Sequence, residues 1–197
     1  LTAYADKSIN EPLIATLPTK GKITKEEKLT DRGVTVWTLS NGARVAVKKT
    51  DFKKDEILLA GFAYGGKSLM DPRYAKDLET LMQLLYLQFT AVRKDETAYA
   101  ALATRLKGIL PMLANNPDYA FNDSVMMAIY KGNPLMRIPT VKEIDAVNYD
   151  KLLDLFRARL ANAADYTFTF VGNVDEAALR PLVEQYVASL PSNGKPS

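Results

Sequence analysis

The 197-residue chain is 47% hydrophobic and 25% charged, which supplies material for a substantial core and matches an ordinary globular composition. Its net charge of +3 is too small for a nucleic-acid binder, and no apolar run reaches the roughly 18 residues that a membrane span requires. It has no histidine and no cysteine. That removes the usual proton shuttle near neutral pH, any disulfide, and the donors that zinc and copper prefer.

Residues 1–33 lack sustained periodicity and carry Pro12, Pro18 and Gly21 among lysines and glutamates, the pattern of a lead or linker laid over a surface. The start at Leu1 shows neither an initiator Met nor a basic-then-apolar signal, so the expectation is a piece of something longer. Residues 20–54 hold ten Lys/Arg against four Asp/Glu, a basic stretch that reads as solvated lysines on an edge strand and a linker. Val34–Leu39 and Ala43–Val47 are period-two runs joined by Ser40-Asn41-Gly42, a hairpin signal because Asn-Gly tolerates positive φ. Glu56–Tyr64 is a third apolar run, expected as a strand buried on both faces and ended by Gly65-Gly66.

From Asp77 the period becomes helical, with Leu78, Leu81, Met82, Leu85, Phe89 and Val92 on one stripe. Tyr99, Leu102, Leu106, Ile109, Leu110 and Leu113 form a second stripe, with Pro111 as a kink. Residues 117–131 predict a shorter helix opened by Asn116-Pro117, and Thr140 with Glu143 spells a capping box. A helix from Tyr149 to Leu160, a strand Tyr166–Val171 ended by Gly172-Asn173, and a helix lined by Leu179, Val183 and Tyr186 complete the order. Strands grouped before helices predict an α+β fold, an antiparallel or mixed sheet with helices on one face. The expected organisation is a lead segment 1–33, one domain over 34–191 and a tail 192–197.

Gly61-Phe-Ala-Tyr-Gly65-Gly66-Lys67-Ser68 matches the phosphate-loop pattern G-x-x-x-x-G-K-[ST] letter for letter. The context opposes it. The helix that must begin at Lys67-Ser68 meets Asp71-Pro72 within four residues, and no later apolar strand ends in the aspartate that would hold Mg²⁺. The adjacent acids Asp55-Glu56, Asp95-Glu96 and Asp175-Glu176 read mainly as helix caps and dipole partners. Asp118 and Asp123 lack calcium-loop spacing, and Ser68 and Ser124 have no histidine to activate them. Tyr64, Tyr86, Tyr130 and Tyr186 read as core or interface rings. No catalytic, cofactor-binding or metal-ligating residue is assigned to the chain.

Two stretches, taken together, resemble the pitrilysin (insulinase-type, mitochondrial-processing-peptidase-like) zinc metallopeptidase family. Leu39-Ser-Asn41-Gly42-Ala-Arg-Val45, followed by a strand ending in Gly65-Gly66, is similar to the start of that family's repeated domain. Phe170-Val171-Gly172-Asn173-Val174, followed by Leu179–Pro191, is similar to its end, with Asp77–Tyr86 and Asn133–Ile144 resembling the middle helices. The resemblance spans residues 33–191. It implies the two-layer α+β sandwich of LuxS/MPP-like metallohydrolases. It also implies a parent endopeptidase whose zinc sits in another repeat, held by H-x-x-E-H and a distant Glu. Nothing here matches those ligands, so the implied role is a non-catalytic domain of the C-terminal half, forming part of a peptide-enclosing chamber. The implied partners are the zinc-bearing N-terminal half and a peptide substrate, with a periplasmic or cell-envelope setting. Alternatives are an inactive scaffold or binding module of the same fold, and a nucleotide binder through Gly61–Ser68. One departure stands out: only Lys67–Lys76 intervenes where the family has further helix and strand. A shortened domain would expose a sheet face, and self-association of the isolated fragment is then expected.

Overall fold

The computed structural model describes residues 11–54, 56–63 and 78–197, and the backbone of 66–70. Six strands form one mixed sheet: β1 (Ile23–Leu29), β2 (Val34–Leu39), β3 (Arg44–Lys49), β4 (Ile57–Ala63), β5 (Gly66–Met70) and β6 (Tyr166–Gly172), in the order β1-β2-β3-β6-β4-β5. The last strand enters the middle, parallel to β3 and antiparallel to β4, so the ends of the sequence pattern become neighbours. Such a parallel join needs a long crossover, and the helices between β5 and β6 provide it. The α+β class and the mixed sheet therefore hold.

Period-two sequence becomes a two-faced sheet. Trp37, Leu39, Val45, Val47, Leu59, Phe168 and Phe170 point to one side and join a single buried cluster. Helix α1 (Leu78–Thr90) covers that side with Met82, Leu85 and Phe89. Phe89 meets Tyr166 edge-on, with ring centroids 5.1 Å apart. On the same cluster lies α6 (Glu176–Leu182), prolonged by a π turn at Val183–Val187, whose Leu179, Val183, Tyr186 and Val187 are at most 1% exposed. At about 25 cal/mol per Å² of apolar area, these aromatic and aliphatic side chains supply most of the folding drive.

Two expectations change. Ile23–Leu29, inside the stretch read as lead segment, is an edge strand paired antiparallel with β2. Its run Lys25-Glu26-Glu27-Lys28 hid it, because an exposed edge strand needs no apolar alternation. The remainder of the lead does lie on a surface. Gly21 N–H donates to Glu184 O at 3.0 Å, and a Cβ at Gly21 would sit 2.5 Å from Ala188. Second, β4 is buried on one face only: Ile57, Leu59 and Ala63 are buried while Leu58 is 45% exposed. The described chain forms two compact units, one made of the described residues up to Val92 with Arg157–Ser197, the other of Arg93–Phe156.

The second unit contains α2 (Glu96–Ala114), α3 (Pro117–Ile129), α4 (Val141–Asp145) and the start of α5 (Tyr149–Leu160). Its helices are defined by their ends. Asp95 caps α2 by accepting from Ala98 N–H, and Asn116 caps α3 with Pro117 in its first turn. Thr140 and Glu143 close a full capping box on α4.

Candidate functional site

The residues of the phosphate-loop pattern form two arms of a hairpin. Gly61 pairs with Ser68, Phe62 with Lys67 and Ala63 with Gly66 in an antiparallel ladder. A phosphate cradle needs a loop running into a helix N-terminus at the Lys-Ser, and here that dipeptide is strand. Tyr64 and Gly65 lie outside the described residues, as do Asp55 and Asp77.

The acidic pairs resolve into structural roles wherever they are described. Asp95 and Asp175 each accept a backbone N–H at the start of their helix, from Ala98 and Ala177 at 2.9 Å. Glu176 accepts from the buried Thr35 hydroxyl at 3.0 Å. Lys94 bridges Glu96 and Asp150, and hydrogen bonds to these two carboxylates, Asp150 first, hold its ammonium above the ordinary lysine value. Glu143 receives the Arg137 guanidinium and both the backbone N–H and hydroxyl of Thr140, so its carboxyl is pulled down to about 2. A carboxylate held ionised in this way is a poor general base at neutral pH.

On the sheet side, Arg180 is paired with Glu26 of β1 and lies 4.9 Å above the ring of the buried Trp37. The hydrogen bond from Arg180, ahead of any other cause, holds the Glu26 carboxyl below its usual range. Tyr186 donates to Glu79 at 3.0 Å and accepts from Gln83 at 3.3 Å, and burial pushes its phenol above the ordinary value. It serves packing, as the sequence suggested. Tyr86 packs partly buried against the core, and Tyr130 is 44% exposed.

One concavity lies wholly in the second unit, about 430 Å³, with walls from Leu110, Pro111, Asp123, Ser124, Ile138 and Val141. Its polar groups are already engaged: Asp123 accepts from Ile138 N–H at 2.7 Å, and the Ser124 hydroxyl donates to Ala120 O at 2.8 Å. Beside it α3 has no buried residue, and Phe121 (69% exposed) and Ile129 (64%) stand in water. The sequence marks residues 117–131 as a shorter helix. It does not say that the apolar side chains of this helix stand exposed.

The described residues do not fit zinc. Among the described residues no group of three or more Asp or Glu converges on a point, and the sequence offers neither imidazole nor thiol. Glu56, Asp150 and Glu143 are tied to Lys53, Lys94 and Arg137, and Asp175 to a helix N-terminus.

No family model matches the chain. Over its whole length it is 27% identical to a zinc protease PQQL-like protein of Arabidopsis thaliana, of which it covers 23%. The structure of the periplasmic protease PqqL from Escherichia coli matches all of the chain at 19% identity, with a TM-score of 0.73 over 27% of that protein. The ferredoxin protease FusC, solved in complex with Arabidopsis ferredoxin, matches 97% of the chain at 17% identity and a TM-score of 0.71, over 26% of its own length. A peptidase M16 inactive domain from Pseudomonas fluorescens matches 83% of the chain at 13% identity, with a TM-score of 0.65. The chain thus spans about a quarter of the length of these three proteases. The pitrilysin-type (M16) resemblance drawn from the sequence is borne out, by a protease relative in sequence and by M16 peptidases in fold.

Proposed function

We propose that this chain is the first repeat of the C-terminal, non-catalytic half of a zinc-dependent metalloendopeptidase. In that reading it forms a wall of the space that encloses the peptide and docks with the zinc-bearing half. One observation carries it: a fold shared end to end with proteases is built here from a sequence without a single imidazole or thiol. The metal implied by the zinc-protease relative then belongs to another part of the parent protein.

Two further facts support the reading. The uncovered apolar side chains of α3 are what a domain shows when the remainder of its protein is absent. The likeness to the Arabidopsis zinc protease PQQL-like protein extends over the whole of this chain and 23% of that protein, as expected of one repeat of a longer protease. The Pro-bearing lead before β1 would be the linker that joins the two halves.

The test is metal analysis and a peptidase assay on the isolated chain, then on the chain mixed with the zinc-bearing half. Zinc is expected to stay substoichiometric and peptide uncut until the other half is added. Stoichiometric zinc on the isolated chain would overturn the reading. The scaffold alternative, favoured by the likeness to an inactive M16 domain, separates by the parent reading frame: an upstream H-x-x-E-H marks a peptidase.

A further inference from the structure

The tripeptide Ser-Asn-Gly occurs twice, at Ser40-Asn41-Gly42 and Ser192-Asn193-Gly194, and the fold brings the two copies together. The Ser192 hydroxyl donates to Asn41 O, and a Cβ on Gly42 would lie 2.9 Å from Gly194 O. Asn-Gly is the dipeptide in which an asparagine side chain is most open to attack by the next backbone nitrogen, because glycine offers that nitrogen no steric cover.

The copies differ in what holds them. The Asn41 amide nitrogen donates to Val187 O at 2.9 Å and Leu190 O at 3.2 Å, and its oxygen accepts from Ala43 N–H at 3.2 Å. The would-be attacking nitrogen of Gly42 is engaged in the hairpin turn, donating to Leu39 O at 3.0 Å. Asn193 is exposed, and among the described residues its side chain makes a local hydrogen bond, its oxygen accepting from Lys195 N–H at 2.9 Å. Gly194 N–H donates to Ser192 Oγ at 3.0 Å, within the same four residues, and a Cβ there would meet nothing within 4 Å.

We propose that Asn193 is a site of spontaneous deamidation and isoaspartate formation in the folded protein, while the identical tripeptide at Asn41 is protected. Gly194 N attacks Asn193 Cγ, a C–N bond closes the succinimide ring, and Nδ2 leaves as ammonia with the amide proton. Water then opens the ring at either carbonyl, giving aspartate or isoaspartate. The isoaspartyl form inserts a methylene into the main chain between two of the segment's anchors. Asn193 N–H donates to Asn162 Oδ1, and Lys195 O accepts from Asn162 Nδ2 at 2.9 Å. The longer backbone cannot keep both in register, so residues 195–197 come free of Asn162 and Asp165.

The test ages the folded 197-residue chain in mildly alkaline buffer and maps both sites by peptide mass spectrometry that separates aspartate from isoaspartate. A parallel sample is aged in urea. Asn193 is expected to convert about a hundredfold faster than Asn41 when folded, since Asn41 must first release several ordered hydrogen bonds, and the two rates should converge in urea. The Gly194→Ala variant should slow conversion at 193 alone. In the aged fraction, the Ser197 amide, which donates to Asp165 in the intact chain, should lose hydrogen-exchange protection. Equal rates at 41 and 193 in the folded protein, or a folded Asn193 as inert as Asn41, would overturn the proposal.

Discussion

The two compact units use similar apolar residues and different physics. In the sheet unit, strands and the helices over them bury Trp37, Phe168, Phe170 and Tyr186 almost completely. Among residues 93–156 only Leu110 and Leu153 are buried, though α3 alone carries Tyr119, Phe121, Val125, Met126 and Ile129. The first unit is held by transfer of side chains out of water. The second depends more on local devices: helix caps, a capping box, the Lys94–Asp150 and Lys107–Asp145 ion pairs, and Tyr99 stacked on Tyr149 at 4.2 Å. A domain can thus be complete in secondary structure and still lack its own interior.

The comparison breaks most sharply at the core. Phe168→Ala should cost about 3–5 kcal/mol in urea denaturation of this chain, the usual range for a fully buried phenylalanine. A loss below about 1 kcal/mol would show that the sheet unit is no better packed than its neighbour. Next comes Gly172→Ala at the end of β6. Gly172 has φ +142°, and a Cβ would lie 2.2 Å from Glu56 O, so a cost of about 2 kcal/mol or more is expected from strain and overpacking together.

In the second unit the largest expected effects are caps. Thr140→Ala should cost about 1 kcal/mol, seen as local loss of exchange protection in α4. Glu143 links that cap to pH. Its carboxyl is held near 2, against an ordinary value of 4.5, by Arg137 first and Thr140 next. A depressed carboxylate contributes stability that is complete above the unfolded value and lost as pH falls toward the folded one, here between about 4.5 and 2. An NMR titration of the Glu143 side chain should show the low midpoint, and Arg137→Ala should return it toward the ordinary value. The smallest effects belong to the bare face: Phe121→Ser and Ile129→Ser should each change stability by less than about 0.5 kcal/mol. A cost above about 2 kcal/mol would mean that this helix is covered after all.

Local signals were legible wherever local physics decides. The Asn41-Gly42 hairpin, the cap at Asp95, Pro117 in the first turn of α3 and the Thr140–Glu143 box all stand where the sequence placed them. The β1 strand was missed because its lysines and glutamates carry no period-two apolar signal. The phosphate-loop letters were rightly distrusted, since a pattern of glycines does not say whether a helix or a returning strand follows.

The amino-acid sequence alone decided which donors the chain can offer a metal, oxygen ligands without imidazole or thiol, because ligand chemistry depends on which side chains exist, wherever they lie. It also decided the element types, since periodicity and caps are short-range. Only the tertiary structure decided that β6 enters between β3 and β4, that one sheet face is packed while the α3 stripe stays bare, and that two identical tripeptides meet with opposite constraints. Those outcomes depend on which distant segments share a boundary, and no run of neighbouring residues encodes that by itself.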